Sequence, residues 1–230
     1  MSSLASGETA DVGTASPYHV QILQSALQPR SNYLRFKRFC DILIVLLVAI
    51  PAALITAIAA IAIRFTMGPP VFFRQKRVGL RGSVFTLLKL RTMTQSPAAN
   101  IGATLPGDRR ITALGQVLRD SHMDELPQLW NVWRGEMSIV GPRPEQLHLA
   151  TLYQDVIPNY PLRHMVRPGL TGYAQVYFGY AASLAETRIK LDYDLHYIQQ
   201  MGPALDLMIL ARTMAVLLNN GRLEPGRTWR

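Results

Sequence analysis

Two adjacent acidic residues, Asp124 and Glu125, stand shortly before Pro127 and a run of apolar residues. Proline is best tolerated in the first turn of a helix, so this pair is predicted to lie at the N-terminus of a helix over about 126–134. Acidic residues at that position ordinarily cap free N–H groups and complement the helix dipole. Alternatively, the helix end keeps Asp124 ionised as a nucleophile while its N–H groups hold a phosphate. The residues alone leave both interpretations open.

Two arginines near this pair could bind a phosphate. Arg119 precedes Asp124 by five residues and could supply a guanidinium fork. Arg143 lies in Gly141-Pro142-Arg143-Pro144, where each proline forces the residue before it into an extended conformation. The loop is therefore predicted to be stiff and to present its guanidinium with little freedom left to lose. A rigid loop with a surface arginine is the ordinary alternative.

The familiar nucleotide and hydrolase motifs are absent: the chain has no Gly-x-Gly-x-x-Gly, Walker loop, His-Glu-x-x-His or Gly-x-Ser-x-Gly. Asp192 and Asp194 have the Asp-x-Asp spacing of a metal motif, but they fall inside a predicted helix. Side chains two residues apart on a helix point in different directions, so the two are not expected to grip one metal together. One of them can still act alone. The single cysteine, Cys40, excludes an internal disulfide.

Composition narrows the class of protein and its partners. The 230 residues are 49% hydrophobic and 17% charged, which excludes a disordered chain and a disulfide-stapled miniprotein. Lys and Arg number 24 against 15 Asp and Glu, for a net charge of +9. Nucleic acid, an anionic membrane surface or a phosphate-rich substrate are the natural partners of such a charge.

The first 30 residues are rich in Ser, Ala, Gly and Thr and are predicted to form a disordered tail. A weak apolar stripe of Val20, Leu23 and Leu27 would allow a short helix at its end. An uncharged run then extends from Ile42 to Ile63. As one helix it would measure roughly 33 Å, about the thickness of the hydrocarbon core of a bilayer.

The apolar run is expected to anchor the chain, with residues 31–66 as a membrane segment. Pro51 near its middle predicts a kink. Basic residues flank both ends, whereas in a spanning helix they mark the cytoplasmic side. A re-entrant helical hairpin that bends at Ile50-Pro51 and returns to the cytoplasm satisfies both observations, and a kinked span is the alternative.

Residues 67–230 are predicted to form a compact cytosolic catalytic domain, so the chain as a whole is α+β and mostly helical. The segments Val71–Gln75 and Val84–Leu88 indicate a small β-hairpin, and Thr94–Gly107 indicates a mobile loop. The last apolar stretch, Leu205–Leu218, is too short and too charged to span a bilayer, so it is a core helix or an amphipathic helix in the membrane interface. Apolar periodicity predicts further helices at about 111–120, 145–156 and 184–200.

Taken together and in order, these motifs resemble the bacterial sugar transferases, the monotopic phosphoglycosyl transferases that act on polyprenyl phosphates. The resemblance runs from about Arg35 to Leu218. It rests on Lys37-Arg38 with Asp41, the apolar run broken by proline, Phe73-Arg74-Gln75-x-Arg77-x-Gly79, Lys89-x-Arg91-Thr92-Met93, Leu118-Arg119, Asp124-Glu125-Leu126-Pro127-Gln128, Gly141-Pro142-Arg143-Pro144 and Pro168-Gly169-Leu170-Thr171-Gly172.

The resemblance implies an activity. Members move a hexose 1-phosphate from a UDP-sugar to undecaprenyl phosphate and release UMP, as the first membrane step of exopolysaccharide, O-antigen or glycoconjugate synthesis. By position, Asp124 would attack the sugar-bearing phosphorus to give a phosphosugar-aspartyl enzyme, and Glu125 would assist through the metal or by orienting the acceptor. The resemblance assigns substrate or phosphate binding to Arg119, Arg143, Lys89, Arg91 and Asp194.

The same resemblance implies Mg²⁺ as cofactor, held by Asp124 and Glu125, and membrane lipids as partners, with the catalytic domain on the cytoplasmic face of the bacterial inner membrane. Nucleic acid is not an expected partner, and a homo-oligomer stays open. Two other classes of protein fit part of the pattern: a basic nucleic-acid-binding membrane protein, and a scaffold without catalysis. The first would have no use for an acidic pair inside a basic field, and the second would not explain the Pro-Arg-Pro loop.

Overall fold

The computed structural model describes residues 31–94, 108–179, 181 and 183–218. The tail predicted at 1–30 and most of the loop predicted at Thr94–Gly107 lie outside these residues. Within them the chain is mostly helical, with two small two-stranded sheets. The elements are α1 Ser31–Met67, β1 Phe72–Val78, β2 Val84–Leu90, α2 Ala113–Asp120, α3 Gln128–Arg134, β3 Ser138–Val140, α4 Leu147–Val156, β4 Gly169–Thr171, α5 Tyr173–Tyr177, α6 Leu184–Gln200 and α7 Pro203–Leu218.

Helix α1 is long and apolar enough to cross a membrane, judged by length and composition, with a mean hydropathy of 2.9. It continues through Pro51 without interruption, so the hairpin predicted at Ile50-Pro51 is not confirmed. The helix buries one face only, at Asp41, Val45, Ala52, Ala59 and Ile63. Large apolar side chains are exposed on its other faces: Leu46, Leu47, Ile50, Leu54, Ile58, Ile61 and Phe65.

Both ends of α1 contact the rest of the fold. Near its start, the Asp41 carboxylate accepts hydrogen bonds from the Ser138 hydroxyl at 2.8 Å and the Ile139 N–H at 3.0 Å. Near its end, Ile63 is fully buried in a cluster with Leu90 and Leu118. A buried carboxylate needs such donors, because removing it from water without them would cost several kcal/mol. The helix is therefore fastened at both ends to one folded body.

The β-hairpin predicted near the start of the catalytic region is confirmed. Strands β1 and β2 pair antiparallel, with Phe72 opposite Leu90 and Val78 opposite Val84. Each strand is longer than predicted at its C-terminal end, so β2 includes Lys89 and carries it toward the centre of the fold. The hairpin packs on α3, where the Asn131 side chain bridges the backbone of Thr86 and Leu88.

A second sheet, not predicted from the sequence, positions the Pro-Arg-Pro loop. Strands β3 and β4 are three residues each and pair in parallel, with Ser138 opposite Gly169. The two backbones come close directly after β3, where a side chain at Gly169 would lie 2.1 Å from the Gly141 nitrogen. Glycine is required at this contact because any Cβ would overlap the neighbouring chain.

The largest apolar cluster lies where α1, α3, α6 and α7 meet, around Val132, Met137, Ile198 and Ile209. Asp206 on α7 joins this assembly: its carboxylate accepts hydrogen bonds from the Tyr33 hydroxyl, the Lys37 ammonium and the Tyr197 hydroxyl. Asp206, a charged residue that made Leu205–Leu218 unsuited to span a bilayer, therefore connects α7 to the start of α1. The opposite side of α7 exposes Leu207 and Leu218.

Candidate active site

The acidic pair lies in a separate turn, not in the helix that follows. Met123–Glu125 form a single 3₁₀ turn, preceded by His122 in the left-handed conformation, with φ 55°. Helix α3 begins at Gln128, and its N-cap, Pro127, makes no side-chain cap. The capping interpretation of the pair is therefore not supported. The left-handed His122 reverses the chain after α2 and brings the turn against β2, where Glu125 pairs with Lys89.

Glu125 is held by two cations. Its Oε1 accepts from Lys89 Nζ at 2.5 Å and from Arg143 Nη2 at 2.5 Å, and its Oε2 accepts from Arg143 Nη1 at 3.3 Å. Burial by itself would raise the pKa of Glu125, but the charges and hydrogen bonds of Arg143 and Lys89 hold that pKa well below its usual range. Glu125 is thus a permanent anion that fixes Lys89 and Arg143 in place.

Asp124 lies next to this cluster under different conditions. Only 7% of the residue is exposed, and no residue in the described ranges donates a hydrogen bond to its carboxylate. Burial raises the pKa of Asp124; Lys89, Arg119 and Arg143 oppose the shift, and the neighbouring charge of Glu125 adds to it. Desolvation makes a carboxylate a stronger nucleophile than one in water, and the nearby cations favour its ionised form. Its lone pairs are open to a ligand.

Arg119 on α2 is positioned to assist. Its Nε donates to the Thr92 hydroxyl at 2.8 Å, which fixes the guanidinium. Its two terminal nitrogens donate to no side chain or carbonyl within the described part of the chain. The residue is half-buried and its charge acts on Asp124. This arrangement leaves one oriented fork beside the carboxylate for an anionic ligand.

The structure places the Arg91 guanidinium at the end of α1, and the role in phosphate binding that the resemblance assigns to it stays a prediction. Its guanidinium donates to the carbonyls of Met67, Gly68 and Pro69, and the residue is buried. The last carbonyls of a helix have no partner within that helix, and Arg91 satisfies those at the end of α1. This arginine joins α1 to the hairpin, and both of its terminal nitrogens are engaged there.

Asp194 is connected to the acidic pair only indirectly, through Arg163 and Arg143. It is 1% exposed, and its Oδ2 accepts from Arg163 Nη2 at 2.7 Å and Nε at 3.0 Å. Arg163 in turn donates to the Arg143 carbonyl at 3.0 Å. Asp194 therefore supports the site through Arg163 and Arg143, and direct contact with a phosphate would need this ion pair to open. Asp192, two residues earlier on the same helix, is exposed, whereas Asp194 is buried.

Sequence reasoning missed two arginines that position the Pro-Arg-Pro loop. Arg163 is one. The other is Arg77 on β1, which donates to the Pro144 carbonyl at 2.9 Å. The loop is thus held at two successive carbonyls, which together with its prolines limits the motion of the Arg143 guanidinium. Arg77 occurs in a segment that carries the resemblance, but nothing in the pattern around Arg163 indicates a function.

Replacing Arg143 with lysine should lower turnover about a hundredfold. An ammonium cannot form the two-pronged contact that Arg143 makes with Glu125, and a 1 Å displacement of a positioned group has effects of this size. Steady-state kinetics on Arg143→Lys would measure the loss. Arg134→Lys is the matched control, since Arg134 is exposed at the end of α3 and its one ion pair within the described ranges is with Glu136 at 3.2 Å. Equal activity of the two variants would reduce Arg143 to a structural role.

The described residues contain no group of three or more His, Cys, Asp or Glu that could enclose a metal. They do contain Asp124, with unoccupied lone pairs, directly beside Glu125. The carboxylate oxygens of these two residues could bind an ion that takes its remaining ligands from water and substrate phosphate, as Mg²⁺ usually does. The site therefore combines a desolvated carboxylate, a fixed anion and three cations from three separate elements, which suits attack on an anionic phosphate.

Comparison with known proteins identifies the family. The model for the family described as bacterial sugar transferase matches residues 32–220. The chain is 41% identical, over 84% of its length and 46% of the relative's, to an Aeromonas hydrophila protein named UDP-N-acetylgalactosamine-undecaprenyl-phosphate N-acetylgalactosaminephosphotransferase. It is 40% identical, over 79% of its length and 69% of the relative's, to the UDP-glucose:undecaprenyl-phosphate glucose-1-phosphate transferase of Caulobacter vibrioides.

A third relative, the exopolysaccharide production protein PSS of Rhizobium leguminosarum, is 33% identical over 81% of this chain and 96% of its own length. The chain thus spans less than half of the Aeromonas relative but nearly all of the Rhizobium protein. The family match includes α1, the acidic turn, the Pro-Arg-Pro loop and α7. This chain belongs to the bacterial sugar transferase family.

Proposed function

We propose that this chain is a phosphoglycosyl transferase that moves a hexose 1-phosphate from a UDP-sugar to undecaprenyl phosphate and releases UMP. The observation that carries the proposal is the pairing of a desolvated Asp124 with an adjacent Glu125 fixed by Lys89 and Arg143. The names of the relatives supply the donor and acceptor classes. These two relatives use different sugars, so the proposal extends only to a UDP-hexose class donor. The name of the third supports exopolysaccharide synthesis as the pathway.

In the first step, an oxygen of the Asp124 carboxylate attacks the sugar-bearing phosphorus of the donor. The bond from that phosphorus to the bridging oxygen breaks, and UMP leaves with the bridging oxygen and its electron pair. The product on the enzyme is a phosphosugar-aspartyl ester. Attack by one anion on another requires positive charge around the phosphorus, and Arg119, Lys89 and Arg143 supply it from fixed positions.

In the second step, a phosphate oxygen of the lipid acceptor attacks the same phosphorus and expels the Asp124 carboxylate. The lipid then carries a sugar through a diphosphate bridge, and the enzyme is regenerated. No net proton transfer is needed if the lipid phosphate enters as its dianion. Glu125 keeps Lys89 and Arg143 oriented through both steps, since neither cation can move away without breaking an ion pair at 2.5 Å.

Asp124 and Glu125 are the residues that would hold Mg²⁺, together with phosphate oxygens of the donor. The open lone pairs of Asp124 support this assignment. When bound, the ion would neutralise charge on the transferred phosphoryl group and on the leaving UMP.

We place the catalytic domain on the cytoplasmic face of the inner membrane, with α1 as a re-entrant anchor. This topology is supported by the contacts of α1, because Asp41 near one end and Ile63 near the other pack against the same domain. If α1 crossed the bilayer, the same domain would have to contact it on both sides of the hydrocarbon core. Re-entry additionally requires a bend at Pro51, which the uninterrupted α1 of the structure does not contain. Basic residues flank both ends of the apolar run, which also favours a common side.

Labels attached at Ser31 and Arg81 should therefore react on the same side of the membrane. Both positions should be inaccessible to an impermeant reagent in intact cells and become accessible when the inner membrane is permeabilised. The chain has one cysteine, so Cys40→Ser supplies the background for single-cysteine variants. Labelling of one position but not the other in intact cells would establish a spanning helix.

The covalent route predicts that the enzyme mixed with a UDP-sugar and no acceptor should release UMP in an amount equal to that of the enzyme. Adding undecaprenyl phosphate should then restart release, and initial rates should follow ping-pong patterns. Release of UMP that begins only when the lipid is added, with sequential kinetics, would contradict the aspartyl intermediate. Absence of UMP under all conditions would contradict the transferase proposal itself and favour a scaffold or binding protein.

A further inference from the structure

Gln128, the first residue of α3, has a buried side-chain amide without a hydrogen-bond partner. The residue is 1% exposed, and among the described residues neither its Nε2 donor nor its Oε1 acceptor is satisfied. An unpaired buried amide destabilises a fold, and native proteins contain few such groups. An apolar side chain of the same size would serve packing better, so the amide at this position calls for another explanation.

The chain path places Gln128 beside the acidic pair. Leu126 and Pro127 both have right-handed helical backbone angles, so the 3₁₀ turn continues directly into α3. Residues three and four apart on such a path are neighbours, and helical side chains lean back toward the preceding turn. We therefore expect the Gln128 carboxamide to lie next to Glu125, three residues before it, and Asp124, four residues before it.

The groups near the carboxamide supply what it lacks. Lys89 on β2 donates one hydrogen to Glu125, and its ammonium carries two more. The Asp124 carboxylate accepts from no residue in the described ranges, so its lone pairs need a donor. Burial raises the pKa of Asp124, and among the nearby cations Lys89 opposes that rise most strongly. An amide that both donates and accepts matches an ammonium and a carboxylate at one place.

We propose that Gln128 is a positioning residue whose carboxamide bridges Lys89 and Asp124 in the reacting enzyme. Its Nε2 donates to one Asp124 oxygen, its Oε1 accepts from Lys89 Nζ, and the other Asp124 oxygen is left to attack phosphorus. The torsions that turn these groups, χ2 of Asp124 and χ3 of Gln128, are soft. Both residues are buried, so water does not compete for the bridge. The inference rests on the proposed function, because only a nucleophilic Asp124 needs an aimed oxygen.

The variant Gln128→Met tests the bridge, since it keeps the size of the side chain and removes both hydrogen-bonding atoms. With a UDP-sugar and no acceptor, it should still release one UMP per enzyme, because Asp124 is intact. The rate of that release should fall at least about tenfold, with KM for the donor unchanged. Gln116→Met is the matched control and should release UMP at the natural rate, since Gln116 is exposed on α2 and donates to Asp120.

Thermal unfolding tests the unpaired amide without any activity. The midpoint of Gln128→Met should rise by about 3 °C, because the variant buries no unsatisfied group. Asn131→Leu is the matched contrast. Asn131 is equally buried one turn further along α3, but it donates to the Thr86 carbonyl and accepts from the Leu88 N–H, so its midpoint should fall. A fall in both variants would show that the Gln128 amide is paired in the resting protein and would overturn the inference.

The kinetic outcomes separate this inference from the proposed function. Natural UMP release from Gln128→Met would overturn the inference and leave the covalent route intact. A raised KM for the donor at an unchanged rate would also overturn it and assign the amide to substrate binding. A smaller amount of UMP released at the natural rate would mean loss of folded enzyme, which equally contradicts a positioning role. Absence of UMP from the natural protein would contradict the proposed function, and this inference with it.

Discussion

Replacing Asp124 with asparagine should reduce phosphosugar transfer about a thousandfold or more. The amide retains the shape of the side chain but cannot attack phosphorus, so the covalent intermediate cannot form. Asp124 accepts no hydrogen bond from a described residue that the amide would break, which makes the substitution structurally mild. Transfer of radiolabelled sugar phosphate to lipid, and mass spectrometry of the enzyme after reaction with donor alone, would measure the two consequences. Asp120→Asn is the matched control, since Asp120 is exposed on α2 and, among the described residues, its side chain hydrogen-bonds to Gln116 alone.

The stability of Asp124→Asn should equal or exceed that of the natural protein at neutral pH. Burial raises the pKa of Asp124, so the folded state binds a proton more readily than the unfolded state. Its contribution to folding is therefore most favourable at low pH and is lost as the pH rises through the raised pKa, where the buried carboxylate ionises. Asparagine removes that penalty. A well-folded variant with substantial residual transfer would rule out the covalent route.

The same pKa shift predicts the acidic limit of the reaction. If Asp124 must be ionised to attack, kcat/KM should fall on acidification at a pH above the usual pKa of an aspartate. Glu125 should not cause this fall in kcat/KM, because Arg143 and Lys89 hold its pKa below the usual range. In the Arg143→Lys variant, the pH at which kcat/KM falls should be unchanged, whereas kcat should decrease. A fall at or below the ordinary aspartate pKa would show that Asp124 is solvated or bound to the metal ion during turnover.

Local signals in the sequence predicted most of the elements but not how they are joined. The β-hairpin and the helices α2, α4, α6 and α7 follow from apolar periodicity and turn residues, so these were confirmed to within a few residues. Strands β3 and β4 are three residues long and 28 residues apart in the chain. Their pairing depends on the close approach of Gly141 and Gly169, which no periodicity encodes. The bend expected at Pro51 was not confirmed, since a helix can accommodate a proline where neighbouring groups adapt.

In the candidate site too, the sequence indicated individual residues but not the contacts that they make in the fold. The stiff Pro-Arg-Pro frame indicated Arg143, and the structure joins this residue to Glu125. The resemblance assigned Arg91 to phosphate binding, and in the structure its guanidinium donates to carbonyls at the end of α1. An arginine beside a helix terminus and one beside a phosphate look alike in sequence, because both supply a fork of donors. Only the fold distinguishes them.

Removing the Asp194 carboxylate should have the largest effect on stability of any single change near the site. In Asp194→Ala the Arg163 guanidinium, 3% exposed, would lose its counterion in a place that water cannot reach. Breaking a buried ion pair in this way costs about 3–5 kcal/mol. For a chain of this size the midpoint of thermal unfolding should fall by about 10 °C. Asp192→Ala provides the matched control, because Asp192 is exposed two residues away on the same helix.

A double variant separates the stability of this ion pair from its effect on catalysis. Replacing Asp194 with leucine and Arg163 with methionine removes both charges, so most of the lost stability should return. Catalysis should not return, because the Arg143 carbonyl loses the hydrogen bond from Arg163 and the loop loses one of its two fixed points. The defect should appear mainly in kcat, with the acidic limit unchanged, since the reacting groups remain. Recovery of both stability and kcat would show that the buried pair serves the fold alone and that Arg77 and the two prolines suffice to hold Arg143.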